Sequence, residues 1–383
     1  MNKVILWIVL VALLTFTLKQ TAQAEQEEPD LYARSALLMD AASGRVLFEK
    51  DGYTPYAVAS TTKILTAILV LEAEVSEEYA TVSANAARQP KVKLYVKEGE
   101  RYRVKDLLYS LMLESHNDVA VVLAEHVSGS VEQFADLMNA KAEEIGCRNT
   151  HFITPNGLDA VDEGGANRAS AHDMALITSY ALQNEEFRKI IMTSSYTFED
   201  EEGKRRETVS NANRFLTMYD GAIGVKTGFT NQAGYCFVGA VECEDGLLIA
   251  VVLGCGWPSN QNWKWKDTRE LMDYGRENYE KKKLTAGAYE GKICVPNGKE
   301  RWAPVVSEMT ECEYLMHPED SVREVMFLEG KISAPFLQGE VVGEKRIYVN
   351  QKEVLRTTIR TVSAGEENRI DDVWKEILFF FCV

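Results

Sequence analysis

The sequence has little that would hold a metal ion or contact a nucleic acid. Its five histidines form no cluster, and its seven cysteines show no paired spacing of the kind that binds zinc. No metal and no other cofactor is therefore expected. With 42 basic and 58 acidic residues the formal net charge is −16, and no basic stripe is present, so no nucleic-acid partner is expected.

Long apolar runs are also scarce, and the one that stands out lies at the start of the chain. Residues 4–18 are almost wholly apolar, follow Lys3 and precede Ala22-Gln-Ala24, which is the pattern of a secretory signal peptide. An uncleaved anchor is the alternative, but the run is short for a span of ~20 residues. We expect residues 1–24 to be removed and the protein to act at the extracytoplasmic face of the membrane or in the cell wall.

Three short motifs stand in a fixed order along the chain: Ser60–Lys63 (Ser-Thr-Thr-Lys), Ser115–Asn117 (Ser-His-Asn) and Lys226–Gly228 (Lys-Thr-Gly). Each is weak alone, and a second Ser-x-Asn at Ser83–Asn85 shows how little that pattern means by itself. Together they form the motif set of penicillin-recognising serine enzymes. The set predicts a covalent serine enzyme in which a lysine, rather than a histidine, handles the proton.

The residues around the first motif favour a nucleophile over an ordinary helix cap. Ser60 opens an apolar run that predicts a buried helix, and the spacing of three places Lys63 on the same face. Burial lowers the pKa of a lysine, so Lys63 is a candidate neutral base. The Ser60 backbone N–H at the helix start is a candidate oxyanion donor. An N-cap serine followed by a surface lysine is the alternative, but this helix leaves little surface for a lysine.

The second motif interrupts two apolar helical stretches with polar residues. Ser115 is a candidate proton relay and Asn117 a candidate ligand for a substrate peptide group, whereas a capped helix joint is the alternative. His116, in the variable position between them, is interpreted as a bystander.

The third motif lies in residues 224–241, which are typical of a strand, a polar turn and a second strand. Gly228 would let backbone approach a ligand closely. Lys226 brings a positive charge, and Thr227 and Thr230 offer hydroxyls to a carboxylate. The alternative is an ordinary edge strand that contains a lysine.

At these residues the chain resembles a serine-type D-alanyl-D-alanine carboxypeptidase, one of the low-molecular-weight penicillin-binding proteins. The similarity extends beyond the motifs to residues 36–50, 112–120, 155–158 and 220–230. The resemblance implies that Ser60 is the acylated nucleophile and Lys63 its base. It also implies that Ser115 relays protons and that Asn117 positions the peptide.

For the third motif the resemblance implies that Lys226 and Thr227 receive the substrate's terminal carboxylate. The oxyanion hole would be the backbone N–H groups of Ser60 and Phe229. Two departures from the family pattern stand out. Residues 167–171 (Asn-Arg-Ala-Ser-Ala) replace a His-x-Ser/Thr-Thr/Ser-Ala segment, which puts a supporting contact in doubt, and Arg214 stands where a small residue is expected.

The pattern of apolar residues divides the chain near residues 281–290. Before that point it predicts a hairpin, a set of helices and a group of strands, at 36–49, 60–73, 104–127, 131–146, 172–192, 223–255 and 267–282. Afterwards only strand-sized alternation remains. With the resemblance, this predicts an α/β fold class with two domains. A β-lactamase/transpeptidase-like domain, with an antiparallel sheet flanked by helices and a helical subdomain, would span 25–282, and a small all-β sandwich would span 287–365.

Residues 366–383 predict a C-terminal amphipathic helix. Apolar side chains recur on one helical face, at positions 370, 373, 374, 377, 378 and 381. Peripheral membrane contact is the favoured interpretation because a terminal Phe-Phe-Phe is unfavourable in water. Nearby acidic residues would repel anionic lipid, so a helix docked on its own protein is the alternative.

The sequence therefore predicts an exported enzyme that removes the terminal D-alanine from peptidoglycan stem pentapeptides and is acylated by β-lactams at Ser60. A class A-like β-lactamase is one alternative, but no Glu-x-x-Leu-Asn segment stands between Asn117 and Lys226. A non-hydrolytic β-lactam sensor or cell-wall binding protein is the other, although a binding module has no need of a buried lysine.

Overall fold

The computed structural model describes residues 28–368. The signal peptide predicted over 1–24 and residues 369–383 of the predicted C-terminal helix lie outside the described residues. The first domain contains strands β1–β11: Ser35–Asp40, Val46–Lys50, Tyr79–Thr81, Arg101–Arg103, Val161–Asp162, Gly165–Ala166, Ser195–Glu199, Arg206–Ser210, Ala222–Thr230, Gly234–Cys243 and Gly246–Leu253. Its helices α1–α9 are Lys63–Glu72, Ala84–Ala87, Val104–Leu113, Asn117–Ser128, Val131–Ile145, Ala171–Ala181, Glu185–Met192, Phe215–Met218 and Trp263–Asn278.

A five-stranded antiparallel sheet, in the order β2-β1-β11-β10-β9, forms the centre of this domain. Leu37 and Met39 face the core beneath α1 and α6, whereas Ala36 and Leu38 face α9 on the other side. Both faces are covered, which explains why these strands read as nearly continuous apolar runs. On α9 a β-carbon at Gly275 would lie 2.7 Å from Leu38 Cδ2, so glycine allows the helix to lie close to the sheet.

Two predicted helical stretches are each two helices. The stretch predicted over 104–127 ends as α3 at Leu113 and resumes as α4 at Asn117, because Ser115 has a φ of 68° that no α-helix contains. The stretch predicted over 172–192 breaks before Asn184, whose side chain accepts the Phe187 N–H at 3.0 Å and caps α7.

The second domain is all-β, with a two-stranded and a five-stranded antiparallel sheet. Its strands β12–β18 are Glu280–Ala286, Tyr289–Cys294, Trp302–Ser307, Thr310–Met316, Val322–Leu328, Val341–Val349 and Lys352–Thr361. Strand β12 pairs with β15, and the larger sheet has the order β13-β14-β18-β17-β16. Two apolar clusters fill this domain, one around Ile293 and Val305 and one around Leu284 and Ile347.

The predicted end of the first domain requires a correction. The helix predicted over 267–282 is α9, which spans Trp263–Asn278, and the chain becomes extended at Tyr279. Residues 280–286 pair with β15, so the boundary predicted between residues 282 and 287 falls inside strand β12. The sequence pattern does not predict strand β12, because the strand begins with Glu-Lys-Lys-Lys and most of its side chains are exposed to solvent.

Arg45 connects the two domains. Its guanidinium donates to both carboxylate oxygens of Asp320, at 2.7 and 2.8 Å, and to the carbonyl oxygen of Leu315 at 2.6 Å. It also lies 5.2 Å from the ring centroids of Tyr279 and Tyr314. No helix within residues 28–368 is long and apolar enough to cross a membrane, and the six cysteines of this range are all free.

Candidate active site

The first motif lies in a tight turn that a neighbouring loop holds in place. Ser60 belongs to a 3-10 turn, Ala59–Thr62, that leads directly into α1, and Ala59 has a φ of 48°. The loop at Gly157 presses against this turn: a β-carbon there would lie 1.9 Å from the Ala59 carbonyl oxygen, and its φ of 78° also favours glycine. The position of the serine is therefore fixed from outside its own helix.

Lys63 begins α1 and is fully buried. Its Nζ lies 2.8 Å from three oxygens, which are Ser60 Oγ, Asn117 Oδ1 and the backbone carbonyl of Asn156. An amide oxygen and a carbonyl can only accept hydrogen bonds, whereas a serine hydroxyl can also donate. Three oxygens can accept the three N–H groups of an ammonium. A neutral amine, with its two N–H groups on the acceptor-only oxygens, would direct its lone pair at the serine hydroxyl.

The charges around the site favour that neutral form. Burial lowers the pKa of Lys63 well below its ordinary value, and the nearby charge of Lys226 lowers it further, against an opposing effect of Asp118. Burial also lowers the pKa of Lys226, to about 7. Both lysines are thus desolvated, and the charge of Lys226 disfavours the charged form of Lys63.

The second motif supplies a strained serine and an engaged amide. Ser115 Oγ is buried and has no hydrogen-bond partner among the described residues. Such a hydroxyl is free to exchange a proton with a ligand. Asn117 is less free: its Oδ1 accepts from Lys63, and its Nδ2 donates to the Pro90 carbonyl at 3.3 Å. The assignment of Asn117 to substrate positioning therefore stays a prediction, and the structure places this amide on the candidate base.

The third motif runs along β9, which has a neighbouring strand on one side only and passes the Ser60 turn. A β-carbon at Gly228 would lie 2.9 Å from the Ser60 backbone nitrogen and 3.1 Å from that of Thr61. Lys226 is buried, Thr227 is half-buried and Phe229 is exposed, with its ring 4.6 Å from that of Tyr235. The Lys-Thr-Gly segment and the serine turn are therefore in close contact.

Thr230 stands at the end of this strand and its hydroxyl already has two partners. It donates to Asp159 Oδ1 and accepts the Ala233 N–H, both at 3.0 Å. These bonds fasten the turn that follows β9. Its proposed contact with a substrate carboxylate stays a prediction.

His116 contacts Ser110 and Glu114, and its interpretation as a bystander stays a prediction. Its Nδ1 is 2.8 Å from Ser110 Oγ and its Nε2 is 3.3 Å from a carboxylate oxygen of Glu114. Burial lowers its pKa, partly offset by Asp118 and Glu114. Within residues 28–368 no group of three or more His, Cys, Asp and Glu side chains is arranged to hold a metal ion.

The two departures from the family pattern have identifiable contacts. Asn167 is buried, and its Oδ1 accepts the Ile153 N–H at 2.9 Å, which supports the loop that carries Asn156. Arg214 is exposed and precedes α8. The pKa of Lys264 is lowered to about 8, chiefly by burial and with a smaller contribution from the charge of Arg214.

Two charged side chains, Asp118 and Arg205, hold the loop of residues 94–96 beside the site, and sequence reasoning did not identify them. Asp118 follows the second motif, is fully buried and accepts the N–H groups of Leu94, Tyr95 and Val96 at 3.0, 2.8 and 3.3 Å. Arg205, in the β7–β8 turn, donates to the carbonyls of Leu94 and Tyr95. We call these two side chains the loop clamp. An Asp after Ser-x-Asn was the only sequence signal, and it did not reveal its partners.

The fold and the site together define a class. A serine in contact with a buried lysine, at the edge of an antiparallel sheet flanked by helices, is the arrangement of serine enzymes with the β-lactamase/transpeptidase fold. The chain belongs to the D-alanyl-D-alanine carboxypeptidase family, whose profile matches residues 21–256.

Individual relatives agree with this assignment. The chain is 32% identical over 337 residues to D-alanyl-D-alanine carboxypeptidase DacF of Bacillus subtilis, and these residues make up 85% of this chain and 82% of that protein. It is 28% identical to DacD of Escherichia coli over 94% of this chain and 95% of that protein. Penicillin-binding protein 5 of Haemophilus influenzae has a similar structure, with a TM-score of 0.71, 26% identity and coverage of 89% of this chain and 99% of its own.

Proposed function

We propose that this chain is a serine D-alanyl-D-alanine carboxypeptidase that trims peptidoglycan stem peptides ending in D-Ala-D-Ala. Family membership supports the reaction class. The observation that carries the assignment to particular residues is the 2.8 Å contact between the buried Lys63 Nζ and Ser60 Oγ. A neutral amine with its two N–H groups on the Asn117 and Asn156 oxygens would direct its lone pair at the serine.

Acylation would proceed by transfer of the Ser60 hydroxyl proton to the neutral Lys63 amine while Ser60 Oγ attacks the carbonyl carbon of the penultimate D-alanine. The backbone N–H groups of Ser60 and Phe229 would stabilise the oxyanion. Ser115, whose hydroxyl has no partner in the described structure, would pass a proton to the departing amine of the terminal D-alanine. Water would then hydrolyse the acyl-enzyme and regenerate Ser60.

The substrate's terminal carboxylate would lie against the third motif. Lys226 provides the charge and Thr227 provides a hydroxyl. Gly228 allows the strand to lie close to the serine turn. β-Lactams carry a carboxylate and a strained amide in a similar relation, and they would acylate the same serine. They are therefore proposed as covalent inhibitors.

The β-lactamase alternative is less well supported. Rapid deacylation in a class A-like enzyme requires a glutamate poised at the acyl-serine. Within residues 28–368 the hydrogen-bond partners of Lys63 and Ser60 are each other, the Asn117 amide and the Asn156 carbonyl, with no carboxylate among them.

A direct experiment measures D-alanine release from a diacetylated tripeptide that ends in D-Ala-D-Ala. The wild-type chain should release D-alanine, and Ser60→Ala and Ser115→Ala should lose most of that activity. Ser83→Ala is the matched control for Ser115→Ala, since Ser83 belongs to the second Ser-x-Asn and only caps a short helix. Undiminished release by Ser60→Ala would refute the proposal.

We also propose that the enzyme is exported and contacts the membrane from outside the cytoplasm. The signal-peptide pattern of residues 1–24 and the amphipathic pattern of residues 366–383 support this location. Sequencing of the mature amino terminus tests the first point, and a start at Met1 would contradict it. Vesicle binding of the full-length mature chain tests the second.

A further inference from the structure

The outer face of the five-stranded sheet in the second domain carries an apolar surface. On strand β14 the residues Trp302, Pro304 and Val306 alternate with buried neighbours and point outward. Trp302 is 54% exposed, although tryptophan is one of the more buried residue types. An antiparallel sheet with one buried face ordinarily presents polar side chains on the other face, so this strand is an exception.

The apolar surface extends across neighbouring strands. Val306 stands opposite Arg360 on β18, and Arg360 stands opposite Val341 on β17, so these three residues form one row on the same face. Val362 lies beside Pro304, whose carbonyl accepts its N–H at 3.0 Å. We call the five exposed residues the sheet patch: Trp302, Pro304, Val306, Val341 and Val362.

The described chain ends beside this patch. The Lys299 N–H donates to the Glu366 carbonyl and the Asn368 N–H to the Asn297 carbonyl, both at 2.9 Å. A cavity of ≈ 320 Å³ is lined by Trp302 and Pro304 on one side and by residues 363–366 on the other. Residues 363–366 therefore border the patch, and the segment predicted from the sequence as an amphipathic helix begins at residue 366.

The charges around the patch suit a lipid headgroup layer better than a purely apolar partner. Glu290 on β13 stands opposite Val306, Lys292 of the same strand stands opposite Pro304, and Arg360 lies in the Val306 row, so the apolar strand is bordered by one acidic side chain and by two basic ones. Basic side chains can extend from an apolar surface toward phosphates. Exposed tryptophan beside them is a typical residue of the membrane–water interface.

We infer that the sheet patch is a second membrane-contact surface, which lies on the bilayer together with the C-terminal segment. This inference rests on the membrane contact proposed above and adds to it a folded surface of the second domain. Contact through a folded sheet face as well as through the predicted amphipathic segment would fix the orientation of the second domain on the bilayer.

Flotation with vesicles of phosphatidylethanolamine and phosphatidylglycerol tests this inference on the full-length mature chain. The double variant Trp302→Ser/Val306→Ser should bind about tenfold more weakly, because it removes exposed apolar area from the contact. Leu137→Gln is the matched control: Leu137 is 43% exposed on α5 in the other domain, and its change should leave binding unaltered. Truncation after Asn368 should weaken binding, and the double variant should remove what remains.

Several results would overturn the inference. Vesicle binding of the double variant equal to that of the wild type would show that the patch does not touch lipid. A change in Trp302 fluorescence on truncation, measured without vesicles, would mean that the C-terminal segment covers the patch. A dimer that dissociates in the double variant would mean that a second copy of the chain covers the patch. D-alanine release in solution should be the same in all variants. If neither the wild type nor any variant released D-alanine, the proposed reaction would be refuted, but the vesicle assay would still test the sheet patch.

Discussion

Gly228 and the Ser60 backbone nitrogen lie so close that a β-carbon at position 228 would be 2.9 Å from that nitrogen. Strand β9 thus passes the serine turn with no space for a side chain between them. The oxyanion would develop beside this contact in the proposed reaction. Any displacement of β9 would move one oxyanion donor relative to the other.

Gly228→Ala should therefore lower the acylation rate with little effect on the fold. Loss of one oxyanion donor typically lowers kcat by ~10²–10³, and a displaced strand should approach the lower value. The measurement is the second-order rate constant for acylation by penicillin, with the melting temperature as a check on folding. Gly287→Ala is the control, since a β-carbon there meets nothing within 4 Å. Equal rates in both variants would show that the contact between β9 and the serine turn tolerates an added β-carbon.

The two buried lysines should give the enzyme a pH profile that depends on its substrate. The lowered pKa of Lys63 means that its amine becomes neutral, and able to accept a proton, as pH rises, so activity should increase along an acidic limb. Lys226, with a pKa of about 7, loses its charge as pH rises through neutrality, so binding of a carboxylate should weaken. Since the lysines interact, both limbs belong to the pair.

The test compares kcat/KM across pH for a peptide that ends in free D-alanine and for its C-terminal amide. The acid substrate should show both limbs and the amide only the acidic one, because the amide has no anion for Lys226 to attract. Lys63→Arg should lose orders of magnitude in acylation, since arginine stays charged. Superimposable profiles for the acid and the amide would contradict the role of Lys226.

Thr227→Val should discriminate between the same two substrates. A hydrogen bond to a charged group contributes about 1.5–3 kcal/mol, so kcat/KM on the free acid should fall about tenfold to a hundredfold. The amide should be affected much less. Thr230→Val is the comparison, because its hydroxyl bonds to Asp159 and to the Ala233 N–H. Equal losses of Thr227→Val on acid and amide would mean that Thr227 shapes the strand without contacting the carboxylate.

The loop clamp should affect catalysis from a distance. Asp118→Asn removes the negative charge that accepts the N–H groups of Leu94, Tyr95 and Val96. Hydrogen exchange in residues 89–96 should accelerate, and acylation should slow several-fold, because Asn117 also bonds to this loop through the Val92 carbonyl at 2.8 Å. Arg205→Met should accelerate the same exchange from the opposite side. Unchanged exchange in both variants would show that the loop is held by other contacts.

The sequence allowed much of the fold to be predicted where side-chain periodicity is strong. Strands β17 and β18 alternate clearly and were expected as strands, and the break between α3 and α4 was marked by polar residues around Ser115. Strand β12 was missed because its exposed lysines resemble the end of a charged helix. Its identity depends on pairing with β15, which is a contact between distant segments.

The active site divides in the same way. Side chains in motifs, such as Ser60 and Lys63, could be named because their chemistry is tied to their spacing. The Asn156 carbonyl that holds Lys63 could not, since any residue has a carbonyl and only the fold decides where it points. The partners of Asp118 were equally hidden, because the loop and Arg205 come together only in three dimensions.

The most direct test of the account is mass spectrometry of the intact protein and its peptides after incubation with penicillin. One covalent adduct with the full mass of the drug should form, map to Ser60 and be absent from Ser60→Ala, while Ser83→Ala should be labelled like the wild type. An adduct on Ser115, or undiminished labelling of Ser60→Ala, would contradict the assignment of Ser60 as the nucleophile.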